Sequence, residues 1–241
     1  RRSSVHTYNM LQFVPQDDRL VVMPYAGMGE SALPDASPAW QALYVANRIP
    51  GSFKAVNWFA YNAGNDWDIA ELAASTSTPR RGFYPTMPTN NSTWGMVGCC
   101  DPVTGDLYRG DAAFGLWRMN RATDSWSLVS SGFAQSWAGN AICVDPVVRN
   151  GESYRRLMMV SHGGESGREG AYRLDTAAKL TVGLESGSEP WSVLTQGTYN
   201  GLQYDSYNDQ FWAFLNGPDG NFAQYKIQYV TPTTYRITKV T

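Results

Sequence analysis

The chain has 241 residues, with 19 Lys and Arg against 21 Asp and Glu and a formal net charge of −2. So even a balance, with no basic run, supplies no positive field for a nucleic acid or an anionic membrane surface, and neither is expected as a partner. No apolar run approaches the ~20 residues of a membrane helix, while 9 Trp and 14 Tyr against 17% charged residues fit a β-rich chain with a large core.

The sequence opens Arg1-Arg2-Ser3-Ser4, without an initiator Met or a signal-like apolar region, which predicts a processed or excised portion of something longer. Tyr8-Asn9-Met10-Leu11-Gln12-Phe13 then turns at Pro15 to Asp18 into Leu20-Val21-Val22-Met23. Two apolar runs around a polar turn predict a strand pair. Residues 26–39, with Gly27, Gly29, Pro34 and Pro38, form a long polar loop. Such a loop is either contact surface or a tolerated insertion, since loop growth costs little. Leu43-Tyr44-Val45 and Val56-Asn57-Trp58-Phe59 supply third and fourth strands, completing a unit over about 6–60.

Residues 61–93 interrupt this pattern. Asp66 to Ala74 predicts two helical turns, and Pro79, Pro85 and Pro88 forbid regular structure afterwards. The segment lacks a second aromatic-alternating hairpin, so it is read as an insertion rather than a hidden extra unit. Asn90-Asn91-Ser92-Thr93 contains overlapping glycosylation sequons, short patterns that also arise by chance.

From Trp94 the repeat is clearest. Val97-Gly98-Cys99-Cys100-Asp101-Pro102, Leu116-Trp117-Arg118-Met119 and Ser125-Trp126-Ser127-Leu128-Val129 mark a unit over 94–130. Ile142-Cys143-Val144-Asp145-Pro146, Ala171-Tyr172-Arg173-Leu174 and Pro190-Trp191-Ser192-Val193-Leu194 mark another over 137–195. Its glycine-rich loop from Gly163 to Gly170 lacks the Gly-Lys-Ser/Thr ending and the following helix of a phosphate cradle. Residues 183–189 read as a further Gly/Ser loop. The last unit, 198–241, runs through Tyr199-Asn200-Gly201-Leu202-Gln203-Tyr204-Asp205, Phe211-Trp212-Ala213-Phe214, Gln224-Tyr225-Lys226-Ile227 and Thr234-Tyr235-Arg236-Ile237-Thr238. Four strands per unit and four units predict an all-β chain, a β-propeller of four-stranded antiparallel blades forming a single domain over 1–241. Trp126 and Trp191 share a repeat position and are expected to be buried between strands of their own blades.

Val160-Ser161-His162-Gly163-Gly164 is similar to the kelch second strand with its double glycine, and Asn120-Arg121-Ala122-Thr123-Asp124-Ser125-Trp126 resembles the kelch turn that ends on a buried tryptophan. On these residues the chain resembles kelch-type β-propellers, best in its middle two units. The first unit has Met23-Pro24-Tyr25-Ala26-Gly27 in place of the double glycine, the second a lone Gly110, the last Asn216-Gly217. The Tyr-Asn-x-Leu-Gln-aromatic openings resemble kelch-like segments of tailed-phage virion proteins. That second resemblance implies a virion or tail component in a virion or extracellular setting.

With the turns superposed, one inner-strand position reads Gln12, Cys99, Cys143, Gln203. Three cysteines inside strands do not suggest a disulfide framework; Cys99 and Cys143 could make a disulfide across the interface of two blades or a soft-metal pair, but a metal would want further Cys or His close by. They are expected as free, buried thiols, with Cys99 and Cys143 near one another. Near the strand starts, Tyr8, Asn9, Asn140, Tyr199 and Asn200 are the candidate binding residues, a polar ring at one channel mouth suited to sugar hydroxyls or a partner's backbone. The competing reading has each Asn capping its own turn. His6 and His162 are the only histidines, too few for the copper site of kelch-like oxidases. Glu165, Glu169 and Asp111 are the loop carboxylates available to a glycosidase. No catalytic residue, metal or cofactor is assigned. The sequence therefore points to a non-enzymatic recognition or scaffold module, presenting loops 26–39, 61–93 and 163–170 to a protein or glycan partner. The alternative is a glycan-active propeller enzyme with acidic residues at the channel mouth.

Overall fold

The computed structural model describes residues 11–17, 19–22, 43–49, 52–61, 67–70, 80–81, 97–111, 115–123, 125–133, 140–149, 151–163, 167–195, 200–216 and 221–240. These residues are all-β, in four sheets that follow one another along the chain.

The first sheet takes β1 (Leu11–Val14), β2 (Arg19–Val22), β3 (Leu43–Ile49), β4 (Ser52–Tyr61), β5 (Trp67–Ala70) and β6 (Arg80–Arg81), in that spatial order. β5 stands where two helical turns are predicted. Its Trp67–Ala70 backbone pairs antiparallel with Tyr61 to Trp58, so an available strand edge overrides local helix propensity. β5 and β6 thus extend the first sheet outward.

The second sheet has β7 (Val97–Cys100), β8 (Leu107–Asp111), β9 (Gly115–Asn120) and β10 (Ser125–Ser130), a plain antiparallel meander. Gly115 holds φ +83°, and an added Cβ there would lie 2.0 Å from the Ser130 carbonyl oxygen. The positive φ at the start of β9 and the close approach of the β10 backbone therefore need glycine there.

The third sheet holds only β11 (Ala141–Asp145), β12 (Arg156–Val160) and β13 (Gly170–Arg173). The fourth strand predicted at 190–194 is a 3-10 turn over Trp191–Leu194, capped by Pro190. Trp191 is accordingly not sandwiched between strands of its own sheet. It is half-buried and packs edge-on against Tyr235 of the following sheet, with centroids 5.7 Å apart. The side chain of Trp126 lies outside the described residues.

The fourth sheet comprises β14 (Gly183–Leu184), β15 (Gly201–Asp205), β16 (Gln210–Asn216), β17 (Phe222–Thr231) and β18 (Thr234–Lys239), in the order β14-β18-β17-β16-β15. β14, predicted as loop, pairs parallel with the outer strand β18 and ties the third unit to the fourth. Among the described residues the sheets have six, four, three and five strands.

Among the described residues two cores join consecutive sheets. Val97, Cys99, Tyr108 and Leu116 of the second sheet pack with Ile142, Val144, Leu157, Met159 and Tyr172 of the third. The other face of the third sheet, with Ala141, Met158, Val160 and Ala171, packs with Phe211, Ala213, Leu215, Tyr225 and Ile227 of the fourth. Strand alternation explains this: residues of one parity face the next sheet and those of the other parity face the previous one. Large side chains such as Tyr235, Phe211, Leu116 and Leu157 are at most 1% exposed, each worth roughly 1.5–3 kcal/mol of burial. No described helix is long and apolar enough to cross a membrane.

Candidate functional site

The first strand of each unit is an edge strand of its sheet, and these four edges come together: β1 meets β7, β7 meets β11 and β11 meets β15. They border an open cavity of about 690 Å³ whose lining includes Gln12, Cys99, Cys143 and Gln203, the residues of the shared repeat position. Cys100, Ile142, Leu202, Tyr204 and Phe214 complete its character. The described lining is neutral throughout, mixing apolar surface with amides, thiols and one phenol.

An edge strand leaves backbone groups without a ladder partner, and the repeat position meets that need. The Gln12 amide donates to the Gly98 carbonyl at 2.9 Å, and its Oε1 accepts the Cys100 N–H at 3.2 Å. This two-point contact imitates a strand pairing. One unit on, Cys99 shares a core with Val144 of the third sheet, and Cys143 packs against the core that Tyr204 of the fourth sheet also borders.

Burial pushes the Cys99 thiol well above its ordinary pKa, with nearby Cys143 adding to the effect. Cys143 is pushed up to about 12 by burial, against the opposing pull of the Tyr204 backbone. All three cysteines are free thiols, as expected from their placement inside strands. Among the described residues no group of three or more His, Cys, Asp or Glu gathers as metal ligands.

At the end of three of the four inner strands an aspartate shapes the turn. Asp101 accepts from the Val103 N–H at 2.9 Å, Asp145 from Val147 at 3.0 Å and Asp205 from Tyr207 at 3.0 Å. These are three copies of one Asx turn; the first unit has Val14 instead, followed by a 3-10 turn at Pro15–Asp17. Arginines from the third unit lock the turns together. Arg155 pairs with Asp101 of the second unit. Arg149, only 5% exposed, holds Asp145 at 2.8 and 3.0 Å and reaches Asp209 of the fourth unit at 2.5 and 2.6 Å. Arg156 bonds the Tyr235 hydroxyl at 2.8 Å. The sequence reading missed these arginines because their partners lie in other units.

The predicted binding residues divide. Tyr8, Asn9 and Tyr199 lie outside the described residues. Asn140 and Asn200 are each 1% exposed and are not among the cavity's lining residues. They converge instead on one stretch of backbone: Asn140 Oδ1 accepts the His162 N–H at 2.5 Å, and Asn200 Nδ2 donates to the Ser161 carbonyl at 3.1 Å. Asn140 ties its own unit, whereas Asn200 ties the last unit to the third. Of the candidate carboxylates, Glu165 lies outside the described residues, and Asp111 ends β8 with its side chain likewise outside them. Glu169 is buried and accepts from the Ser161 hydroxyl at 3.2 Å and the Gly167 N–H at 2.8 Å, so it braces the 163–170 loop. Loop 26–39 is outside the described residues.

Compared with known proteins, the chain matches no family model and no curated sequence.

Proposed function

We propose that the four sheets are consecutive blades of a kelch-type β-propeller and that the protein is a non-enzymatic recognition or scaffold module. Its partner is a protein or glycan, and the phage-like openings of its first and last units favour a virion or tail component. One observation carries the reading: four inner strands, each bearing the same repeat position, surround a common cavity with a neutral lining of amides, thiols and apolar groups. Such a surface suits hydrogen bonding to uncharged hydroxyls or backbone groups together with apolar contact. A glycosidase needs two carboxylates converging on one bond, and Glu169 is instead committed to Ser161 and Gly167.

The test is retention on an immobilised glycan panel, with product analysis of the same sugars. The proposal expects saturable retention without turnover. Gln203→Ala, at an exposed position on the cavity lining, is expected to weaken retention while the thermal midpoint stays nearly constant. Cleavage of any panel glycan by the intact protein would overturn the proposal in favour of the enzyme.

A further inference from the structure

Two residues before the repeat position, three of the inner strands differ in a way that shapes the cavity. β7 has Val97 and β11 has Ala141, both buried in the cores between sheets. β15 has Gly201, which is half-buried. The cross-strand partner changes as well: Val97 pairs with Gly110, whereas Gly201 pairs with Phe214. Bulk has thus moved from the inner strand to the second strand of the unit. A Cβ added to Gly201 would lie 3.6 and 3.7 Å from Cβ and Cδ2 of Phe214, so the missing side chain leaves room beside that ring. Gly201 and Phe214 both line the cavity.

An amide stands next to this ring. Gln203 shares a face of β15 with Gly201, roughly 7 Å along the strand; it is exposed and lines the same cavity. Gln12, the other amide of the lining, is engaged with the Gly98 carbonyl and the Cys100 N–H. Gln203 is therefore the amide placed to meet a ligand, and a primary amide both donates to and accepts from hydroxyls. The described lining is neutral, so a charged group drawn into it would lose water without gaining a counter-ion. A volume of about 690 Å³ lies in the range of small-molecule pockets.

A ligand that satisfies these groups together has an apolar C–H face, hydroxyls around its edge and no charge. A neutral pyranose has all three: its C–H bonds suit the negative face of an aromatic ring, and its hydroxyls suit the amide. We propose that the cavity takes a neutral hexopyranose residue of a glycan, packed against Phe214 and hydrogen-bonded by Gln203. The inference rests on reading the cavity as the recognition surface, and it commits that surface to a glycan rather than a protein.

Ligand-observed NMR titration of the full chain tests it, with methyl glycosides of glucose, galactose, mannose and N-acetylglucosamine as probes and methyl glucuronide as the charged counterpart. At least one neutral glycoside is expected to bind, and the glucuronide at least about tenfold more weakly. Gln203→Ala is expected to weaken binding about tenfold, and Phe214→Leu, which keeps apolar volume but removes the ring, by a similar factor. Gly201→Ala separates binding from folding. Gly201 has no positive φ and the new methyl meets Phe214 in ordinary contact, so the thermal midpoint is expected at or above that of the wild type while binding falls severalfold. A wild type that binds none of the neutral glycosides overturns the proposal, as does one that binds the glucuronide equally well. Binding weakened by Gln203→Ala but unchanged in folded Gly201→Ala and Phe214→Leu keeps the cavity as the recognition surface and overturns the ring contact. Binding that none of the three variants alters shows instead that the cavity is not the recognition surface, which is the failure of the underlying reading.

Discussion

Cys99 and Cys143 are held reduced and unreactive by where the next sheet lies. Each packs with the sheet that follows, and burial keeps both thiols protonated far above neutral pH. Because the thiolate is the reactive form, both are expected to react slowly with an aromatic disulfide reagent at about pH 8 in the native protein. Unfolding is expected to release all 3 cysteines to the reagent, and recovering a single thiol would mean a disulfide. The alignment that pairs these cysteines was legible because inner strands repeat with little variation. The tasks of Asn140 and Asn200 were not legible, since their common target, the backbone at Ser161 and His162, is brought to them only by the packing of two units. A side-chain amide at a strand start looks the same in sequence whether it faces a ligand or a neighbouring chain segment.

Hairpins were legible and outer edges were not. β1 with β2, β7 with β8, β11 with β12 and β15 with β16 form from local alternation and turn chemistry. The strand at Trp67–Ala70, the turn at Trp191–Leu194 and the parallel pairing of Gly183–Leu184 depend on which edge is free nearby, a non-local circumstance. The sheets are then bound to one another by side chains at the turns, Arg149 foremost. Replacing Arg149 by Ala leaves Asp145, 1% exposed, as an unpaired buried carboxylate and is expected to cost about 3–5 kcal/mol in denaturant unfolding. Arg236→Ala is the control: Arg236 and its partner Glu185 are 50% and 31% exposed, and its loss is expected to cost at most about 1 kcal/mol. Acid should mimic the Arg149 change in part. The hydrogen bond from Arg149 holds the Asp209 carboxyl below its ordinary 3.8, so its contribution is present above pH 3.8 and disappears as pH falls through the lowered value. Wild-type stability is expected to fall in that acid window, and the Arg149→Ala variant to lose less there. Equal acid sensitivity of the two proteins would remove Asp209 from the account.

Across the described residues the sheets follow one another in order: Gln12 of the first bonds the inner edge of the second, and the repeat-position faces of the second and third turn to the sheet that follows. This succession brings the four inner strands to one cavity. It also explains why the first sheet tolerates two added strands, which join its outer edge and leave the inner edge untouched. The most direct measurement is thiol cross-linking of a Gln203→Cys variant with a short homobifunctional reagent, followed by peptide mass analysis of the monomer band. Inner strands gathered around one cavity predict a link from residue 203 to Cys100 within a single chain, as both positions line that cavity, while the buried Cys143 reacts slowly. Full modification of residue 203 and Cys100 without any intrachain link would show that the strands do not share it, and would contradict the account.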